Sequence, residues 1–315
     1  MDESRVYTDE GAYALRRRRL PADGPFSVIR QKLIAFWVLA RFPWRFQFAL
    51  LGVLYMMVFG RVVYNAPLYS IPLLIAAFVI VTLINAGGCA INDYFDRHAD
   101  AISKPERPIP AGNISAAGAL EYTAVTFVIG AALALYINLL AFVIVLFEIL
   151  FFVTYPSVLK RASGLWANFL MGLAAGFIAV FGEALLLGHI SYLSLAFVPM
   201  ILAGGMQANA FKDIVTMEGD KKNGYTTVAV KRGVRTAVAV VVAVSVVDIM
   251  FNYVPYVLGI VGIAFAIVVT ISAFARLYVI QSLIRKPTIA NVRSLMWTMG
   301  FFAFVPAALL AGAFL

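Results

Sequence analysis

One cysteine and two histidines stand in 315 residues, and only 13% of the chain is charged. A single cysteine, Cys89, excludes a disulfide within the chain, and its neighbours Gly87, Gly88 and Ala90 make it a packing position. His98 and His189 lie too far apart in the sequence to join a Cys/His zinc set, so each reads as a polar loop residue. Scarcity of charge excludes a soluble domain. The hydrophobic fraction is 63%, where soluble proteins hold about 45–50%, and the mean hydropathy is +0.91. Residues 1–24 mix acids, bases, Pro and Gly with few apolar groups, which predicts a disordered arm and excludes a cleaved signal peptide.

What the chain has instead is a series of long apolar runs. Nine of them approach the length, about 20 residues, that a helix needs to cross about 30 Å of hydrocarbon: 44–62, 69–90, 117–137, 138–156, 165–187, 192–211, 235–252, 255–275 and 294–314. Backbone groups in lipid must be satisfied within the element, so the runs predict helices and not an open sheet. The expected fold is all-α: a polytopic membrane protein, nine transmembrane helices bundled around a central cavity, with 44–315 as one domain. Residues 25–43 place apolar groups at helical spacing around Arg30, Gln31 and Lys32, which predicts an amphipathic helix in the headgroup zone before Pro43 opens the first span.

Charge divides the connections. Arg16 to Arg19 and the links after spans two, four, six and eight carry nearly all the basic residues, among them Arg97, Lys104, Arg107, Lys160, Arg161, Lys212, Lys221, Lys222, Arg276 and Arg285. By the positive-inside rule the N-terminus and the even-numbered links face the cytoplasm of the cell, and the C-terminus lies outside. That rule accounts for the net charge of +9, and no basic face interleaved with aromatics points to nucleic acid.

Against this background the acids are conspicuous. In NDYFDRHAD (92–100) Asn92, Asp96 and Asp100 recur every four residues, within an arc of about 80° on one helix face, with Asn85 deeper on the same face. A helix C-terminus favours cations and like charges one turn apart repel, so such a face is costly without a bound cation. After the sixth run the pattern returns: Asn209, Asp213, Thr216 and Asp220 fall within about 60° on a continued helix, with Glu218 turned away. The repeat across four spans predicts a weak internal duplication of four-helix units plus one helix. Oxygen ligands suit Mg²⁺, which keeps waters and takes its remaining ligands from substrate phosphates. Basic groups in the same loops suit those phosphates.

NDYFDRHADAISKPERPIPAGNIS (92–115) resembles the first Asp-rich signature of the UbiA superfamily of intramembrane prenyltransferases. DIVTMEGDKKNGYTTVAVKRG (213–233) resembles the second signature, and YPSVLKR (155–161) the Tyr-to-Lys segment after the fourth helix. Thr216 stands where many members carry the first Asp of that second signature, which leaves Asp213 and Asp220 as its ligands and Glu218 as a further acid. The resemblance implies Mg²⁺-dependent transfer of a polyprenyl group from its diphosphate to a lipophilic acceptor, with release of pyrophosphate. It implies one Mg²⁺ on Asn92, Asp96 and Asp100, with Asp93 beside them, and a second on Asp213 and Asp220. Arg107, Lys160 and Lys221 are expected to hold diphosphate oxygens. Asn209 joins them by orienting a carboxylate, and Tyr155 faces the cationic C1 carbon. The run from NDYFDR to SKPERPIPAGNIS is most similar to the archaeal branch that attaches a geranylgeranyl chain to geranylgeranylglyceryl phosphate; quinone, haem and chlorophyll-type acceptors are the alternatives. A cation transporter would need its acids at the membrane midplane, and a CDP-alcohol phosphotransferase a DG-x-x-AR element that this chain lacks.

Four acids fall inside the runs. Glu121, in the first turn of the third, reads as structural; Glu148 is placed to face the cavity; Glu183 and Asp248, near outer ends, are expected to be solvated.

Overall fold

The computed structural model describes residues 25–42, 46–64, 71–159, 164–222, 224–296 and 298. The predicted arm at 1–24 and most of the ninth run lie outside them. All regular structure among the described residues is helical. In chain order the helices are α1 (Pro25–Leu39), α2 (Phe46–Tyr64), α3 (Ile71–Ser103), α4 (Ala116–Ile137), α5 (Leu139–Thr154), α6 (Gly164–Leu187), α7 (Tyr192–Val215), α8 (Met217–Lys222), α9 (Val228–Asn252), α10 (Val254–Val257), α11 (Ile263–Arg285) and α12 (Ile289–Leu295). Seven helices among the described residues are long and apolar enough to cross a membrane: α3, α4, α5, α6, α7, α9 with its continuation, and α11. Large apolar side chains such as Ile129, Phe147, Ile271 and Phe274 face outward, as a lipid solvent permits.

Length explains where the acids go. From Ile71 to Asn92 the helix rises about 32 Å, the thickness of the hydrocarbon layer, so Asp96 and Asp100 lie more than one such thickness from the start of α3. The helix never breaks between Asn85 and Asp100, which keeps the predicted face intact. Helix α5 instead passes into a π turn over Tyr155–Leu159. Pro156 has no N–H to give to the ladder, and the wider turn presents the Tyr155 ring inward, where it is 7% exposed.

The core gathers Tyr55, Met56, Ile80, Phe197 and Phe265, each almost fully buried, from α2, α3, α7 and α11. Helices α6 and α7 come close at Gly172, where a Cβ would stand 2.3 Å from the Leu202 carbonyl oxygen. Helix α1 packs Ala35 and Leu39 against Ala90, Ile114 and Ala119 while Ile29, Leu33, Ile34 and Trp37 stay exposed.

Two boundaries and two acids depart from expectation. The predicted run 255–275 is a helix over Ile263–Arg285, begun after a turn at Gly259 (φ 69) and Gly262. Arg276, expected in a cytoplasmic link, is therefore a helix-interior residue, 5% exposed and ion-paired to Asp248. Asp248 is 1% exposed and not solvated. Pairing neutralises both charges, so neither has to end a span. Asp248 sits 3.8 Å from where a Cβ on Gly204 would lie, near the middle of α7, and Asn252 donates to it at 3.0 Å. Glu183 is likewise fully buried and not solvated. It accepts from the Ser191 backbone N–H at 2.9 Å and from the hydroxyls of Ser191 and Ser194, at the positive end of α7.

Candidate active site

The bundle encloses a cavity of about 520 Å³. Its lining changes character along its length. Asn92, Asp96 and Asp100 of α3 line one side of its polar end, and Asn209, Lys212 and Asp213 of α7, with Thr216 and Asp220 just beyond, line the other. Ile80, Val81 and Ile84 of α3, Ile144 and Val145 of α5, and Phe177 and Phe181 of α6 line the apolar end. One half offers charge and the other offers a dry groove.

The two acidic tips meet directly. Tyr225, in the turn after α8, donates its hydroxyl to Asp96 Oδ1, and its own backbone N–H reaches the Asp220 carbonyl at 2.9 Å. Asn92 Nδ2 donates to the other Asp96 oxygen at 3.1 Å, and Thr216 Oγ1 donates to Asp220 Oδ2 at 2.8 Å. The segment that carries Tyr225 is docked on α6, where the Gly164 N–H donates to the Thr226 carbonyl at 3.0 Å. Only glycine fits there, because a Cβ would stand 2.5 Å from Thr227 Cα. The second acidic stretch is not one continued helix: α7 ends at Val215, Thr216 caps it, and α8 restarts at Met217. An Asp220 N–H to Thr216 carbonyl bond of 2.9 Å keeps Asp220 in helical register across the joint.

Arginines organise the first cluster. The loop after α3 turns back on itself, with Arg107 N–H to Lys104 carbonyl and Ala111 N–H to Arg107 carbonyl bonds, and this brings the Arg107 guanidinium over the end of the helix. Its Nη1 donates to Asp93 Oδ1 at 2.9 Å and to Asp100 Oδ2 at 2.6 Å. Arg41 approaches Asp93 from the end of α1, Nη2 to Oδ1 at 2.7 Å, with its backbone at φ 54, a region that non-glycine residues seldom adopt. Burial raises the Asp100 pKa; Arg107 works against this, and the neighbouring carboxylates of Asp93 and Asp96 add to it. A cation beside Asp100 would relieve that strain.

Tyr155 and Asn209 stand together on the opposite wall. Asn209 Nδ2 donates to Asn168 Oδ1 at 2.6 Å and lies 3.5 Å from the Tyr155 hydroxyl. Of the residues singled out from sequence, Asn92, Asp96, Asp100, Arg107, Tyr155, Asn209, Asp213 and Asp220 all line this one cavity. Lys221 is exposed and does not line it, and Lys160 lies outside the described residues. Arg41, Lys104, Asn168 and Tyr225 line it without having been singled out for it. Tyr225 left one signal, an aromatic in an otherwise polar Gly-Tyr-Thr-Thr turn.

The donor set suits a hard cation such as Mg²⁺. Every ligating candidate at the polar end is an oxygen, and among the described residues no three of His, Cys, Asp and Glu close into a protein cage. Such a site leaves coordination positions for water and for phosphate.

Comparison with known proteins gives the pattern a lineage. Residues 53–305 match the model described as the UbiA prenyltransferase family. The chain belongs to that family. It is a UbiA prenyltransferase, and it is similar to digeranylgeranylglyceryl phosphate synthases of archaea. The synthase of Methanosarcina mazei is 31% identical over 236 residues, 75% of this chain and 80% of that one. That of Methanosarcina barkeri is 31% identical over 246 residues, covering 78% and 83%, and that of Haloquadratum walsbyi is 37% identical over 191 residues, covering 60% and 65%. Among solved structures, one described as a digeranylgeranylglyceryl phosphate synthase in membranes superposes with a TM-score of 0.73 at 25% identity, over 90% of this chain and 99% of the other. A UbiA homolog from Archaeoglobus fulgidus bound to GPP and Mg²⁺ superposes at 0.69 with 17% identity, over 89% and 99%, and shares the fold.

Proposed function

We propose that this UbiA prenyltransferase is Mg²⁺-dependent and moves a geranylgeranyl group from its diphosphate to the free hydroxyl of geranylgeranylglyceryl phosphate, releasing pyrophosphate. The observation that carries the reading is the junction of the two acidic helix ends over one cavity, made through Tyr225 and Asp96. Acids on both walls of a polar mouth, above an apolar groove, suit a substrate with an anionic head and a hydrocarbon tail. The acceptor follows the relatives' names, since the acidic ends recognise only the leaving group.

In this reading Asn92, Asp96 and Asp100 would hold one Mg²⁺ and Asp213 and Asp220 a second. When bound, Mg²⁺ supplies the positive charge that lets the diphosphate oxygen leave. Arg107, held at the mouth by Asp93 and Asp100, turns its remaining N–H groups to diphosphate oxygens. Lys160 and Lys221 take the same role on sequence alone. Asn209 steadies the Tyr155 ring, and that ring faces C1 as positive charge develops there. The allylic C–O bond breaks with its electron pair going to the diphosphate. A new C–O bond forms to the acceptor oxygen, whose proton passes to a nearby carboxylate or to water. By the distribution of basic residues the mouth opens to the cytoplasm.

The test is Asp96→Ala and Asp220→Ala in purified protein, with pyrophosphate release measured on geranylgeranyl diphosphate, Mg²⁺ and geranylgeranylglyceryl phosphate. Removing a metal carboxylate is expected to lower turnover by at least about a hundredfold. Undiminished turnover in both variants would refute the assignment.

A further inference from the structure

Asn168 and Asn209 form a buried amide pair beside Tyr155. Helices α6 and α7 touch at two glycines, where a Cβ on Gly205 would lie 3.1 Å from Gly172 Cα. One turn from that contact along each helix, towards the acidic mouth, stand Asn168 of α6 and Asn209 of α7, 2% and 9% exposed. Both line the central cavity. Asn209 Nδ2 donates to Asn168 Oδ1 at 2.6 Å and lies 3.5 Å from the Tyr155 hydroxyl. Among the described residues these are the side-chain partners of Asn209, and both stand on its nitrogen.

An amide side chain donates from one atom and accepts on the other, and an acceptor held away from water without a donor costs stability. With its nitrogen turned to Asn168, Asn209 offers its carbonyl oxygen Oδ1 to the cavity, next to the ring that faces C1. The donor substrate has nothing to give that oxygen, since ionised diphosphate oxygens only accept and a prenyl chain carries no polar hydrogen. A hydroxyl does have a hydrogen to give.

We propose that Asn209 Oδ1 accepts a hydrogen bond from the hydroxyl of the acceptor and holds its oxygen towards C1, with Asn168 as the positioning residue that keeps the amide turned this way. This rests on the prenyl-transfer reading and adds the acceptor's reacting end to it. The class of acceptor follows: an alcohol can make the bond, whereas a carboxylate would meet the carbonyl oxygen to oxygen. A hydroxyl within hydrogen-bond reach of Asn209 lies beside Tyr155, which suits the approach of about 3–3.5 Å that attack on C1 requires. As the new C–O bond forms, the bond from C1 to the diphosphate breaks with its electron pair going to the diphosphate, and the hydroxyl proton passes to a carboxylate or to water. The amide orients the O–H and takes no proton.

The experiment compares Asn209→Ala, Asn168→Leu and Asn168→Asp with the wild type, using geranylgeranyl diphosphate, Mg²⁺ and geranylgeranylglyceryl phosphate in detergent. Two products are followed: the diether from transfer, and geranylgeraniol from attack by water. Asn209→Ala is expected to lower the ratio of transfer to hydrolysis about tenfold, the scale of one hydrogen bond. Asn168→Leu fills the same volume but lets the Asn209 amide turn, and it is expected to lower that ratio about threefold to tenfold while the donor KM stays within about twofold. Asn168→Asp can still accept from Asn209 Nδ2, so its ratio returns towards the wild-type value. Transfer and hydrolysis falling in parallel would assign Asn209 to the Tyr155 ring alone, and a change confined to the Mg²⁺ requirement would make Oδ1 a metal ligand. Equal loss in Asn168→Asp and Asn168→Leu would mean that the amide faces the other way. Each of these results overturns the proposal. If the wild type transfers no prenyl group to this acceptor, the prenyl-transfer reading fails on its own. The rise in melting temperature on adding the acceptor, present in the wild type and lost in Asn209→Ala, then decides whether Asn209 binds it, and equal rises in both overturn the proposal.

Discussion

At the scale of single residues the site is held by contacts that spacing alone does not reveal. Asp96 and Asp220 are separated by more than a hundred residues, yet one tyrosine touches the side chain of the first and the backbone of the second. Asp96 has about four lone-pair directions, so the bonds from Tyr225 and Asn92 are compatible with its acting as a cation ligand. Tyr225→Phe keeps the buried ring and removes only the hydroxyl. It is expected to raise the Mg²⁺ concentration for half-maximal turnover about tenfold while the melting temperature changes little. A Mg²⁺ titration that superimposes on the wild type would show that Tyr225 merely packs. The polar faces of α3 and α7 were legible because a helical repeat of acids is a local property of the chain. Tyr225 and Arg41 were not, since each acts on Asp96 or Asp93 across a distance that only the packed bundle closes. Lys221 neighbours Asp220 in sequence, but it is exposed and does not line the cavity, so its part in holding diphosphate rests on the sequence pattern.

Helices tell a second story through the pair Asp248 and Arg276. Hydropathy placed the eighth span too early because it treated Arg276 as an end marker, and it treated Asp248 as wetted because the acid sits near the end of its run. Both residues cancel each other's charge between α9 and α11 instead. Losing one partner leaves an uncompensated buried charge. Arg276→Leu is expected to destabilise the fold by about 3–5 kcal/mol, whereas Asp248→Leu with Arg276→Met should lie within about 1 kcal/mol of the wild type or above it. Unfolding of the single and double variants in mixed micelles measures this directly; equal loss in both would mean that the pair contributes nothing as a pair. Glu183 followed the same logic, since three donors at the start of α7 make its burial tolerable. Periodicity reads which face is apolar, but it does not read which polar groups find each other.

For the molecule as a whole, the apolar runs carried the helical membrane architecture, and the asymmetry of basic residues predicts an orientation that can be measured. In a Cys89→Ser background, a cysteine at Gly112 in the turn after α3 is expected to be shielded from a membrane-impermeant thiol reagent added to intact cells. One at the exposed His189, between α6 and α7, is expected to react. The opposite pattern would invert the topology. The Asp248–Arg276 contact has a consequence for biosynthesis as well. An arginine at the centre of a lone helix opposes insertion by about 2.5–3.5 kcal/mol, and its neutralising partner is on α9, the long apolar helix that precedes it in the chain. As the nascent chain leaves the ribosome, α9 is expected to stay beside the translocon until α11 arrives, so that the two enter the lipid as one unit.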